Sequence, residues 1–138
     1  MENGDEYLNK EDILGMDDIA VEEVLVPEWK NRKVLVCGMT AAGKNAYEAS
    51  LVEVKGTSRK VKLENATAKL LAHTLVNRKR QLLFTETDIE ALGRKSAAAL
   101  ERLAAVAQRL SSMRQEDVEA LVKNSEAAQS VDSPSASL

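Results

Sequence analysis

VLVCGMTAAGKN, residues 34–45, decides what kind of fold this chain can have. A short apolar, β-branched run leads into Gly38, and Gly43 and Lys44 follow after four residues. That is the spacing of a phosphate-binding loop set between a strand and a helix. In such a loop backbone N–H groups cradle phosphate oxygens and the lysine neutralises them. The next residue must offer a hydroxyl to Mg²⁺, and here it is Asn45. A nucleotide-hydrolysing domain also needs several βαβ units and a second apolar strand ending in Asp. No such strand follows residue 45, where the pattern turns helical. Gly38 and Gly43 therefore read as flanking a strand-to-helix turn capped by Thr40. A small nucleotide-binding protein using residues 38–45 stands as an alternative.

Upstream, VEEVLV at residues 21–26 is a second strand candidate, broken by Pro27. Two such runs around PEWKNRK predict a β-hairpin, with a loop longer than two residues and a register left open. Downstream, Thr40 caps a helix on which Ala46, Tyr47, Leu51 and Val54 share a face, stopped by Gly56-Thr57-Ser58. A second helix is predicted over residues 63–77, with Leu70, Leu71, Thr74 and Leu75 at helical spacing. Asn77-Arg78-Lys79-Arg80 makes a polar turn before Leu82-Leu83-Phe84. Thr85 with Asp88 forms a capping-box variant opening a short helix that Gly93 ends. The strongest helix is SAAALERLAAVAQRL from Ser96, its stripe formed by Leu100, Leu103, Ala107 and Leu110 and widened by Val106. Ser112 with Gln115 resembles a further capping box before an amphipathic helix to about Ala128.

The expected fold class is thus mainly α (α+β): a small N-terminal β-hairpin followed by a bundle of four to five helices, with disordered ends. Residues 1–12 read as a flexible acidic lead, 13–128 as the folded domain and 129–138 as a disordered Ser-rich tail. At 138 residues the chain can bury about two thirds of its unfolded surface without a disulfide or metal. Aromatic residues make up only 3%, so the core must be built from Leu, Val and Ala. No apolar run reaches the ~18 residues of a membrane span, and the acidic start, MENGDEYLNKEDILG, is unlike a signal peptide.

Charge is segmented. Residues 1–29 carry ten acids and one base, residues 30–80 twelve bases and three acids, and the remainder six bases and nine acids. A basic middle points to an anionic partner, nucleic acid above all. Against this, Arg59, Lys60 and Lys62 are flanked by Ser58, Val61 and Leu63, with no aromatic for base stacking. The acidic head can also lie over the basic middle within the chain.

Little in the sequence supports catalysis. Cys37 sits in an apolar strand, and the single histidine, His73, lies far along the chain. The acid pairs Asp17/Asp18 and Glu22/Glu23 are adjacent and diverge on any regular element. No residue is assigned a catalytic, cofactor-binding or metal role. Trp29, after Pro27 at the hairpin turn, is either the large anchor of a small core or an exposed partner contact.

Taken in order, these stretches resemble a known family. VEEVLVPEWKNRKVLVCGMTAAGKNAYEASLV resembles the opening of the small tail assembly chaperones of long-tailed, siphovirus-type bacteriophages. LLFTETDIEALGRKSAAALERLAAVAQRLSSM and EDVEALVKNSEAAQ resemble that family's later segments, so the likeness covers about residues 11–129. Two departures stand out: Lys30-Asn31 where the family tends to have glycines, and basic NRKRQ at 77–81 where an acidic turn is common. The resemblance implies a non-enzymatic factor of the host cytoplasm, absent from the mature virion and without cofactors. It binds the helical, apolar tape measure protein and keeps it soluble. A longer form, made by programmed frameshift, recruits tail tube protein. Membrane association is not expected, nucleic acid is disfavoured, and self-association stays open. Trp29, Leu100, Leu103, Val106 and Leu110 are the candidate partner-binding residues. A head-tail connector or nucleic-acid-binding phage component is the alternative of another class.

Overall fold

The computed structural model describes residues 6–113. A short helix α1 (Lys10–Leu14) precedes strand β1 (Val21–Val26), a 3₁₀ turn (Pro27–Trp29) and strand β2 (Arg32–Cys37). Helix α2 (Ala41–Ser50) leads into strands β3 (Val52–Lys55) and β4 (Ser58–Val61), then helix α3 (Ala66–Ala72) and strand β5 (Leu75–Val76). A 3₁₀ turn (Glu86–Asp88), helix α4 (Ile89–Leu92) and the long helix α5 (Ala97–Leu110) complete the described chain.

The hairpin is present and its register is fixed from Val21↔Cys37 to Val26↔Arg32. The expectation of a mainly helical bundle behind a small hairpin is wrong: among the described residues five strands form two antiparallel sheets, ordered β1-β2-β5 and β3-β4. Two local readings account for the difference. The helix expected to run past Val54 stops at Ser50, because Val52-Glu53-Val54-Lys55 alternates and pairs with Ser58–Val61 around Gly56-Thr57. Gly56 adopts φ +62, the left-handed conformation such a two-residue turn demands and glycine supplies without strain. The helix expected over 63–77 is only Ala66–Ala72, and Leu75–Val76 instead pairs with the open edge of β2. There the Cys37 N–H donates to the Thr74 carbonyl at 2.8 Å. That bond joins residues far apart in sequence, so no local periodicity announces it.

The caps are as the sequence indicates. The Thr40 hydroxyl accepts from the Gly43 N–H at 2.9 Å, and the Ser96 hydroxyl from the Ala99 N–H at 3.2 Å. Near the start, Asn9 and Asp12 form a full capping box on α1, a helix the sequence reading did not anticipate. The helix read from Ser112 and Gln115 onward lies outside the described residues. The hairpin turn holds Lys30 and Asn31 at φ 62 and 56, a left-handed pair that non-glycine side chains adopt at some cost. In the basic turn the Asn77 side-chain oxygen accepts from the N–H groups of Lys79 and Gln81, at 2.8 and 3.0 Å.

The core lies between the inner face of the three-stranded sheet and α5, closed at the side by α3. Val24, Val26 and Val36 point inward to meet Ala99, Leu100, Leu103 and Ala107, with Leu70, Leu71 and Leu75 beside them. Small residues on α5 let the helix approach the sheet closely, and each fully buried leucine contributes about 1.5–3 kcal/mol. Tyr47 anchors α2 in this core, its ring edge-on to His73 with centroids 6.4 Å apart.

The acidic head does not simply cover the basic middle. Two of its acids reach α5 instead: Glu28 binds the Arg102 guanidinium through both oxygens, and Glu22 binds Arg109 at 2.8 and 2.9 Å. Arg102 and Arg109 are two helical turns apart and share one face, so the pair fastens α5 along β1. Between head and middle, Asp17 pairs with Arg80 at 2.9 Å and Glu23 with Lys33 at 3.4 Å.

The Glu28–Arg102 pair carries a pH signature. The hydrogen bond from Arg102 holds the Glu28 carboxyl below its ordinary 4.5, and the Arg102 pKa is raised in return. A carboxyl lowered on folding adds stability above its unfolded value, and that share is lost as pH falls through the folded value. Arg102→Gln is therefore expected to flatten the fall in Tm below about pH 4.5 while leaving its shape near neutrality unchanged. Thermal melts between about pH 3 and pH 7 check this; an acid limb identical to the parent's would refute it.

Candidate binding groove

The residues that resemble a phosphate loop are already committed to the fold. The Gly38 N–H donates to Ala20 O at 3.0 Å and the Met39 N–H to Ser111 Oγ at 2.9 Å. Gly43 N–H is taken by Thr40 Oγ1 and Lys44 N–H by Thr40 O, both at 2.9 Å. A phosphate cradle needs free, convergent N–H groups, and these have acceptors within the chain. The strand before the turn is antiparallel to both neighbours, unlike the parallel sheet of nucleotide hydrolases. Nearby, burial pushes the Cys37 thiol up, against the opposing charge of Arg80, so it is a poor nucleophile. No cluster of three or more His, Cys, Asp or Glu that could hold a metal occurs among the described residues. No described helix is long and apolar enough to cross a membrane.

An open apolar site lies at the other end of β1. Pro27 starts the 3₁₀ turn that ends β1, and the turn brings Trp29 over α4. Trp29 is half-buried, with one part packed on the core and the rest lining a groove of about 380 Å³. Phe84, Ala91 and Leu92 form the other walls, with Asp88 and Lys95 at the rim. The Thr85/Asp88 capping box sets this wall: Asp88 Oδ2 accepts from the Thr85 N–H at 2.9 Å. That bond fixes the entry into α4 and leaves Phe84, immediately before the cap, turned against the core. A groove with aromatic and aliphatic walls and charges only at its mouth binds apolar side chains. It offers no nucleophile and base within reach of each other.

The five candidate partner residues belong to one packed cluster but do not share one open surface. Trp29 alone lines the groove. Leu100 and Leu103 are 4% and 0% exposed and sealed in the core. Val106 and Leu110 are partly buried against it. The sequence reading missed Phe84, Ala91 and Leu92 as partners of Trp29. A signal was available: with so few aromatics, a Phe placed just before a capping box is marked as a packing residue at a helix entry.

The fold and site together define a small α+β domain that presents an open apolar groove. A family model described as phage tail assembly chaperone matches residues 16–124, and the chain belongs to that family. Among solved structures, that of the bacteriophage HK97 tail assembly chaperone is similar in fold. Its TM-score is 0.51 at 21% identity, covering 67% of this chain and 85% of that one. No curated protein matches the chain.

Proposed function

We propose that this chaperone binds the tape measure protein during tail assembly and keeps it soluble, using the groove beside Trp29. The observation that carries the reading is that two of the chain's four aromatic residues, Trp29 and Phe84, wall one open apolar groove. A long apolar helix presents side chains at three- and four-residue spacing, and an anchoring ring or leucine entering such a groove is how helices are gripped by aromatic pockets. Of the candidate residues Trp29 makes the contact, while Leu100 and Leu103 hold α5 in the core. The work is binding, with no reaction catalysed. In the same reading a frameshifted form extends the chain beyond its Ser-rich residues 129–138 and recruits tail tube protein, and the chaperone stays in the host cytoplasm when the virion is complete.

Co-expression with the tape measure protein encoded by the same phage tests the reading. The tape measure is expected to be soluble and to co-purify only when this chain is present. Ala91 is exposed on the groove wall, so Ala91→Arg fills the groove without disturbing the core. It is expected to reduce capture at least about tenfold, the effect of losing one buried anchor, while leaving the melting temperature within a few degrees. Full capture by Ala91→Arg would move the binding surface elsewhere. A tape measure equally insoluble with and without the chaperone would remove the function itself.

A further inference from the structure

We propose that the helix bound beside Trp29 is gripped over two grooves, which meet at Lys95 and form a single track. The track takes an amphipathic helix with apolar anchors about two turns apart and a carboxylate between them. The inference rests on the reading that the Trp29 groove holds the tape measure protein, and it deepens that reading by stating which helices fit.

The first observation is the second groove. It has a volume of about 250 Å³ and runs between the entry to α3 and the start of α5. Leu63, Ala66 and Ala97 supply its apolar wall. Leu63 is 50% exposed, and its carbonyl accepts from the Ala66 N–H at 3.0 Å. A large apolar side chain is thus held at the groove by its backbone while half of it faces solvent. A close approach sets the groove in place: a Cβ added at Gly93 would stand 2.6 Å from the Asn65 side-chain oxygen. That approach seats the α3 entry against the α4–α5 turn, and Ala91 and Leu92 of α4 wall the Trp29 groove on the near side of the same turn.

The second observation is that Lys95 lines both grooves. Both therefore lie within reach of one side chain, and a helix rising about 5.4 Å per turn meets the two within a few turns. Anchors about seven positions apart fall on one helix face, about 10.5 Å from each other.

The third observation is the order of charge. Asp88 stands at the first groove, Lys95 at the junction and Glu101 at the second groove. Lys95 and Glu101 are exposed and make no ion pair or side-chain hydrogen bond among the described residues. Their neighbours are taken: Arg94 by Glu90 at 3.2 Å, and Arg102 by Glu28. The track thus reads acid, base, acid along its length. A helix that complements it carries a carboxylate between its anchors and a cation beyond the second one. A single exposed ion pair adds little affinity. Its effect here is on register, favouring one phase and one direction of the helix along the track.

Peptides of about 20 residues, long enough to form helix, tiling the tape measure protein of the same phage and with any tryptophan replaced by phenylalanine, test this. Trp29 is the chain's only tryptophan, so its emission in the full chain reports entry into the first groove. The peptides that shift it are expected to carry apolar residues about seven positions apart with Glu or Asp between them on the same face. For the tightest of them, Leu63→Asp should weaken binding at least about tenfold, and alanine in place of the peptide's second anchor should remove that sensitivity. Lys95→Glu should weaken binding about threefold, and a peptide with Lys in place of the central acid should recover it. Leu63 and Lys95 are exposed, so both variants should melt with the parent. Equal binding of the tightest peptide by the parent and Leu63→Asp overturns the inference and leaves the Trp29 groove standing, as does a set of binding peptides without the central acid. No shift of Trp29 emission by any peptide also overturns it; full tape measure capture by Ala91→Arg in addition removes the groove reading beneath it.

Discussion

Leu103→Ala is expected to cost about 3–4 kcal/mol of unfolding free energy, the largest effect of any single truncation in this chain. Leu103 is 0% exposed and lies mid-way along α5, where the helix meets both the sheet and α3. Removing its isobutyl group forfeits the transfer energy of the buried carbons and leaves a hole between elements that cannot close independently. Collapse is resisted from both sides. The arginine pairs to Glu22 and Glu28 fix the distance of α5 from β1, and Ala99 and Ala107 already place the helix as near the sheet as small side chains allow. Total stability of a domain this size is about 5–15 kcal/mol, so the variant should retain its fold with a much lower urea midpoint. Leu110→Ala is the comparison: it is partly buried at the helix end and should cost less than half as much. Equal midpoints for the two variants would mean that α5 is not the central element of the core.

What could be read from residues alone divides along a physical line. Local chemistry was legible: the capping groups at Thr40, Thr85 and Ser96, the β1–β2 hairpin, and the apolar stripe of α5 through Leu100, Leu103 and Ala107. The strands at 52–61 were misread because Val54 also fits a helical face continuing from Tyr47 and Leu51. Alternation of Val52 and Val54 around a Gly-Thr turn is the competing signal, and cross-strand pairing decided it. Strand β5 was illegible in kind. Two residues, Leu75 and Val76, carry no period, and only the unpaired edge of β2 makes them a strand. The candidate site was harder to read for a related reason. A leucine stripe on a helix has the same pattern whether it faces a private core or a partner, and here Leu100 and Leu103 face the core. Trp29 was identifiable because a tryptophan after a strand-breaking proline must either anchor or protrude, and it does some of each.

Gly38→Ala is expected to destabilise the protein by about 2–3 kcal/mol, as overpacking against an unyielding neighbour does. A Cβ at this position would stand 2.6 Å from the carbonyl oxygen of Leu110 and 3.2 Å from its carbonyl carbon. Both are backbone atoms, so no rotamer change relieves the clash. The last turn of α5 would have to lift from the β2–α2 junction, and it is held there by the Met39 N–H to Ser111 Oγ bond. Gly93→Ala is the discriminating control. Its Cβ would also meet an atom at 2.6 Å, but that atom is the side-chain oxygen of Asn65, which can rotate away, so the cost should stay below about 1 kcal/mol. Urea unfolding of the two variants separates backbone close approach from any general need for glycine. The same pair of measurements explains the phosphate-loop likeness. A loop built for nucleotide would keep Gly38 so that phosphate can approach the backbone, and its loss would show in ligand binding. A turn built for packing keeps it so that a helix can approach, and its loss shows in the stability of the unliganded chain. If Gly38→Ala unfolds at the same urea concentration as its parent, the close approach of α5 to the β2–α2 junction is not what this glycine provides.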